Sequence, residues 1–338
     1  MNQAEFNVTL ESHVVSEICD SIDADSRGSG EGELLQMISE HIKSSAHAPS
    51  RRGGEIFCAI YTYPGHANNT QAIARTWAKK CDGFMAATTS IGIVESTGHI
   101  HIPHIGTEGS YNSIWQKVRS MLAYLHDNFF DDYEWFHING DDTYLIVDNL
   151  RNYLSNDERI LSELDKCKPL YIGGWMQPYW LLSGRKKKWL DDIGGIPWKD
   201  FYYAGGGSGY TLNRAALAVL VNEIFPAYLS DVDLSPEDLF IGMSFWKHSI
   251  KPFDSRDHTG RERYHHFSPK ELLDPPSLLQ KQRAWQASVH KYNSSKIGLD
   301  SVSPSSVAFH QLKSPEDMYR VHLQLYDHER KEFCRQDD

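Results

Sequence analysis

No stretch of the sequence approaches the ~20 consecutive apolar residues that a membrane helix requires, and the N-terminus lacks the basic, apolar and small-residue order of a secretory signal. The chain is therefore expected to be soluble, touching a membrane only through an anchor outside it. Cysteine is scarce. Cys19, Cys58, Cys81, Cys167 and Cys334 form no Cys-x-x-Cys pair and no Cys/His ligand spacing, which argues against structural zinc and leaves room for a disulfide. Positive charge is short as well: 34 Lys and Arg face 45 Asp and Glu, a formal net charge of −11. The only basic run is Lys186–Lys188, so binding to nucleic acid through phosphate neutralisation is excluded. Nucleotide and hydrolase fingerprints are missing too. In Gly205-Gly206-Gly207-Ser208-Gly209, Tyr210 stands where both GxGxxG and GxSxG need a glycine, and no GK[ST] follows. No internal repeat is present.

What remains is an α/β texture. At 338 residues and 40% hydrophobic, the chain can form one large domain with a tail, or two of ~150 residues. Residues 1–50 are rich in Ser, Glu, Asp, Gly and His and read as a polar N-terminal tail or stem. From Ile56 to Tyr63 runs a β-prone segment stopped by Pro64-Gly65. Asn69-Thr70 then reads as the cap of a helix through Trp77, and Phe84 to Thr89 as the next strand. Strand, helix and strand within about 35 residues form a βαβ unit. Ile114, Val118, Leu122, Leu125 and Phe129 recur at helical spacing, with Lys117 and Arg119 off the apolar stripe. Tyr133–Ile138 and Thr143–Val147 read as strands around Asn139-Gly140-Asp141-Asp142, and Pro169–Trp175 as another. A surface insertion is expected at about 180–200, helices at 214–224, from Ser235 to about His248 and at 319–331, and a short tail at 331–338.

Several motifs admit both a structural and a chemical reading. Asp141-Asp142, at the C-terminal end of a buried strand, is either a polar turn or an anionic ligand set for Mg²⁺ or Mn²⁺. Ser235-Pro236-Glu237-Asp238 fits a helix cap with an acidic residue in the first turn. The alternating His99-Ile100-His101-Ile102-Pro103-His104 reads as an edge strand in preference to a metal site. His310, after Val307-Ala308-Phe309, reads by default as a core or interface histidine. Sequons at Asn7, Asn68 and Asn293 would be usable only in a secretory lumen.

Taken in order, these segments resemble glycosyltransferase family 31, the family of the core 1 glycoprotein N-acetylgalactosamine 3-β-galactosyltransferases and of Fringe, over roughly residues 56–328. The anchors are Cys58 with Thr62 and Pro64, Arg75-Thr76-Trp77 with Cys81, Trp115 with Lys117, Asp141-Asp142-Thr143-Tyr144, Asp148-Asn149-Leu150, Gly206-Gly207-Ser208-Gly209-Tyr210, Glu237-Asp238-Leu239, Asp254-Ser255-Arg256-Asp257, Tyr264-His265 and Phe309-His310.

The resemblance implies a GT-A fold, a Rossmann-like mixed sheet flanked by helices, with residues 51–330 as the catalytic domain. It implies a UDP-sugar donor, Mn²⁺, and inverting β-1,3 transfer, most readily of galactose, to a glycoprotein glycan such as O-linked N-acetylgalactosamine. It assigns Asp142 and His310 to the metal, Asp238 to the catalytic base, Thr62, Arg75, Lys117, Asp141, Gly206 and Gly207 to the donor, and Cys58 and Cys81 to a disulfide. It places the protein in the Golgi lumen as a type II membrane protein and leaves room for a homodimer. Gly140 departs from the pattern, standing where the first residue of an Asp-Asp-Asp motif would be. The alternative it raises is a catalytically silent homologue that binds glycoprotein or assists a partner enzyme.

Overall fold

The computed structural model describes residues 18–19, 30–46, 50–52, 54–88, 98–104, 106–107, 113–176, 201–227, 236–273 and 298–334. The expected insertion at 180–200, Ser235, and the sequons at Asn7 and Asn293 lie outside these residues. The strands in chain order are β1 (Ile56–Tyr61), β2 (Gly83–Thr88), β3 (His99–His101), β4 (Trp135–Gly140), β5 (Tyr144–Leu145), β6 (Tyr171–Gly173), β7 (Trp175–Met176), β8 (Tyr203–Ala204), β9 (Tyr210–Asn213), β10 (Phe253–Asp254), β11 (Tyr264–His265) and β12 (Ala308–Phe309). Seven of them form one sheet in the order β10-β6-β9-β4-β1-β2-β3, and β11-β12-β5 form a second. In the large sheet β9 alone runs against its neighbours. This is a mixed α/β sheet with helices on both faces, and the His-rich strand β3 lies at its edge, as its alternation suggests.

Period-two alternation decides which side chain enters which core. Along β1, Ile56, Cys58 and Ile60 enter one apolar cluster and Phe57 and Ala59 the other. The second cluster is covered by α3 (Ile114–Phe129), whose Val118, Leu122 and Leu125 are fully buried. The first is covered by α2 (Ala67–Arg75), α4 (Val147–Asn156) and the C-terminal helix Pro315–Leu325, with α1 (Gly30–Ser45) laid across the last of these. A helix within residues 1–50 departs from the expected tail. Leu34, Leu35, Ile38 and Ile42 form a stripe with helical spacing that the surrounding polar composition masks, and all four are buried. Arg320 pairs with Glu31 at 2.7 Å, and a Cys19–Cys334 disulfide joins the two ends of the domain. A second disulfide, Cys58–Cys81, ties β1 to the turn that follows α2. Cys167 is unpaired and exposed.

Three local readings change. α2 begins at Ala67, so Asn69 and Thr70 lie inside the helix and face inward; they do not cap it. The run from Thr143 pairs only over Tyr144–Leu145, because Val147 already starts α4. Helix α5 (Glu237–Lys247) is preceded by Pro236 in extended conformation, so Pro236 stands outside the first turn, and Asp238 gives one oxygen to the first-turn amide of Leu239 and the other to Gly206, outside the helix. Among the described residues no helix is long and apolar enough to cross a membrane.

Two central histidines set an acid limit on this fold. His137 on β4 is fully buried with Nδ1 2.9 Å from Thr211 Oγ1, and burial pushes its pKa down to about 3; burial does the same to His265, also to about 3. Each is neutral when folded but binds a proton below about 6.5 when unfolded. Its contribution is thus complete above that value and is lost as pH falls toward 3. Between pH 7 and 5 each costs ~2 kcal/mol. Glu262, which burial raises to about 8, works in the opposite direction, so a comparison of variants isolates the effect. In His137→Gln the change in unfolding free energy between pH 7 and 5 should be ~2 kcal/mol less unfavourable than in wild type. Equal changes by urea denaturation would remove His137 as a source of acid lability.

Candidate active site

The topology converges on the C-terminal edge of the large sheet. β1 and β4 are parallel with Tyr61 opposite Gly140, so Thr62 and Asp141 leave the sheet side by side. Their side chains meet: Thr62 Oγ1 donates to Asp141 Oδ2 at 2.7 Å. Because β9 is reversed, the loop Gly205–Gly209 that precedes it opens onto the same edge. β12 runs antiparallel to β5, with Phe309 opposite Tyr144, so the residue after β12 arrives beside the residues before β5. That places His310 Nε2 3.2 Å from Asp142 Oδ2, across 168 residues of chain. The amide of Leu312 donates to the Asp142 carbonyl at 2.9 Å, and that of His310 to the His265 carbonyl at 3.0 Å, fixing the pair from the backbone.

The glycine loop is bonded into this arrangement. Gly206 N–H donates to Asp238 Oδ2 at 2.8 Å, Leu239 N–H donates to Asp238 Oδ1 at 2.8 Å, and Thr143 Oγ1 donates to the Gly207 carbonyl at 2.7 Å. A Cβ at Gly207 would fall 2.5 Å from His310 Nδ1, so only glycine lets the loop approach the imidazole this closely. Gly209 adopts a positive φ of 74° and also lies against His137, a conformation and a contact that both favour glycine.

Charge is unevenly distributed here. Burial works against ionisation of Asp142, but the hydrogen bond and charge of His310, with its own backbone amide, prevail and hold it below the usual carboxylate range. Asp238 is nine-tenths buried; burial raises its pKa, while the amides of Gly206 and Leu239 pull against that rise. His66 Nδ1 lies 3.0 Å from both oxygens of Asp141, and that hydrogen bond raises the histidine's pKa.

Of the residues singled out in the sequence, Thr62, Asp141, Asp142, Gly206, Gly207, Asp238 and His310 belong to this one network. Lys117 joins it from α3: although off the apolar stripe, it is buried and donates from Nζ to the Thr62 carbonyl. Arg75 is the last residue of α2, the helix whose first turn lies beside the site. Four residues were not anticipated as site members: Tyr61, His66, Thr143 and Glu237. His66 carries no local signal, since its partner lies 75 positions on. Glu237 was visible only as the neighbour of Asp238.

Among the described residues no three His, Cys, Asp or Glu side chains gather into a closed metal cage. Asp142 and His310 nevertheless suit an open cation site. Both are partly exposed, at 27% and 20% of the side chain. Two adjacent ligands of an octahedral ion with bonds of ~2.1 Å stand ~3.0 Å apart, close to the 3.2 Å observed between them. A carboxylate with an imidazole favours Mn²⁺ over Mg²⁺, which prefers oxygen alone.

Residues 53–329 match the family described as Fringe-like. A Xenopus laevis glycoprotein-N-acetylgalactosamine 3-beta-galactosyltransferase 1 is 30% identical over 278 residues, covering 80% of this chain and 66% of the frog protein. Mouse chondroitin sulfate synthase 3 is 29% identical over 176 residues, 51% of this chain and 18% of the synthase. The chain thus spans less than two thirds of the length of either relative. A solved structure of the galactosyltransferase LgtC with donor and acceptor sugar analogues covers 75% of this chain and 86% of its own, at 12% identity and a TM-score of 0.38, too distant to bear on the site. With most of its length matched, the chain belongs to the Fringe-like glycosyltransferases, glycosyltransferase family 31.

Proposed function

We propose that the protein is an inverting, divalent-cation-dependent transferase that moves a hexose, galactose first among the candidates, from a UDP-sugar in β-1,3 linkage to a glycoprotein glycan in the Golgi lumen. The observation that carries this reading is the meeting of Asp142 with His310 on the same sheet edge as the loop that bonds Asp238. Residues 51–330 are the catalytic unit, with α1 bracing it from outside.

In this reading Asp142 and His310 hold Mn²⁺, which when bound stabilises the charge that develops on the leaving diphosphate. Asp141, fixed by Thr62 and His66, lines the donor side, with Lys117 holding the Thr62 backbone. Gly206 and Gly207 keep the loop free of side chains where the donor must pass. The acceptor oxygen bonds to the anomeric carbon from the face opposite the diphosphate, the sugar–phosphate bond breaks, and the hydroxyl proton passes to the Asp238 carboxylate. Attack from one side inverts the configuration. Arg75, at the end of α2, completes the donor side.

The test is a transfer and hydrolysis assay across UDP-galactose, UDP-N-acetylglucosamine and UDP-glucose with glycopeptide acceptors, with Mn²⁺ or with chelator. Turnover of one donor that chelator abolishes is the expected result, and no turnover of any donor would overturn the reading.

Gly140 favours the second reading, a silent homologue, because it removes a carboxylate from the edge. The space for one exists: a Cβ at Gly140 would meet Asp142 Oδ1 and the Tyr61 ring no closer than 3.4 Å, ordinary contact. Gly140→Asp should therefore fold normally and tighten Mn²⁺-dependent UDP binding by about tenfold, the size of one charge-assisted interaction. Unchanged binding by calorimetry would mean that position 140 does not reach the donor.

A further inference from the structure

The buried acid beside the base has no part in the chemistry above. Glu237 is 5% exposed, opens α5, and has its Oε1 3.4 Å from the Tyr61 hydroxyl, which donates to it. Its carboxyl also lies against the glycine loop. A Cβ at Gly206 would come within 2.4 Å of Glu237 Oε1 and 3.0 Å of Asp238 Cβ, so the two consecutive acids clasp this glycine from adjoining sides. The amide of that same residue carries the hydrogen bond to Asp238. The same oxygen accepts from Tyr61, the last residue of β1, directly before Thr62 and its bond to Asp141.

We propose that Glu237 is a positioning residue: a buried carboxyl that presses Gly206 onto the Asp238 carboxylate and, through Tyr61, ties the base to the donor-side turn. The inference rests on the functional reading above for its consequence, but its geometry stands apart from it. A buried carboxyl costs stability unless it is bonded or neutral, and a hydrophobic residue of similar size would fill the space more cheaply. Retaining an acid there is explained by a hydrogen bond that only an acid or its amide supplies. Burial and then the neighbouring Asp238 push Glu237 well above the usual carboxylate range, while the Tyr61 hydrogen bond pulls the other way.

The test compares Glu237→Ala, Glu237→Gln and wild type in two ways. In steady-state transfer with the preferred UDP-sugar, the alanine variant should lose kcat on the order of 10²-fold, the penalty of a base displaced by about 1 Å. Its KM for the donor should hold, and the glutamine variant, neutral and of the same shape, should recover most of the loss. In hydrogen exchange, the peptide containing Gly206 should exchange faster in Glu237→Ala and at the wild-type rate in Glu237→Gln. Should the alanine variant fail to fold, Glu237→Asp, one methylene shorter, withdraws the carboxyl from Gly206 and takes its place. Three results overturn the proposal: an undiminished kcat in the alanine or aspartate variant, a glutamine variant as impaired as alanine, or identical Gly206 protection in all. If wild type transfers no sugar, the functional reading fails and the exchange comparison still decides the role of Glu237.

Discussion

Asp238→Asn is expected to reduce transfer on the order of 10³-fold while leaving Mn²⁺-dependent UDP binding nearly intact, since a general base contributes ~10²–10⁴ to rate. The separation follows from position. Asp238 is held by the amides of Gly206 and Leu239, on the loop side of the edge, whereas Asp142 and His310, the pair proposed for the metal, contact each other from separate turns. The amide keeps the size of the carboxylate but cannot take the acceptor proton. Each oxygen of Asp238 accepts from one N–H, so asparagine satisfies one and turns a donor toward the other. That mismatch costs ~1–3 kcal/mol of stability. A thermal melt alongside the assay separates this structural loss from the catalytic one, and calorimetry with UDP verifies binding. Turnover within tenfold of wild type in a folded variant would remove Asp238 as the base.

The second large effect concerns the pair at the rim. Asp142→Ala and His310→Ala should each weaken Mn²⁺-dependent UDP binding by ~10²-fold or more, given that even residues one shell outside a metal are worth ~10–100-fold. With chelator present, wild type and both variants should bind UDP equally weakly. The double variant should lose little beyond either single one, because the two side chains act on one ion and their contributions do not add. A Mn²⁺ titration that is unchanged in both single variants would refute the ligand assignment. Asp142→Asn is a useful companion. It keeps the shape but removes the charge that His310 holds in place, so it should resemble alanine in metal response.

How much of this was legible in the sequence differs from element to element. α3 announced itself through five apolar residues at helical spacing, and β1 and β2 through short β-prone runs on either side of a helix, because period and burial are local properties. α1 was hidden by its setting. Its four buried apolar residues sit among Ser, Glu and His, and composition averaged over fifty residues outweighed a stripe confined to positions 34–42. Asn69 and Thr70 were read as caps because their side chains favour helix starts, yet both turn inward: Thr70 Oγ1 lies 3.1 Å from Thr62 Oγ1, and Asn69 Nδ2 donates to the Lys313 carbonyl at 3.2 Å. Tertiary partners displaced a local preference.

The sequence by itself determined the class of the fold, the family and the residue types the chemistry needs, because alternation, helical spacing and an ordered set of motifs survive without coordinates. The disulfide partner of Cys19, the inward turn of Lys117 and the entry of His66 and Glu237 were decided by tertiary structure alone. The physical reason is strand direction: reversing β9 and pairing β12 against β5 bring the glycine loop and His310 to Asp142 from 64 and 168 residues away. No pattern along the chain records such a reversal.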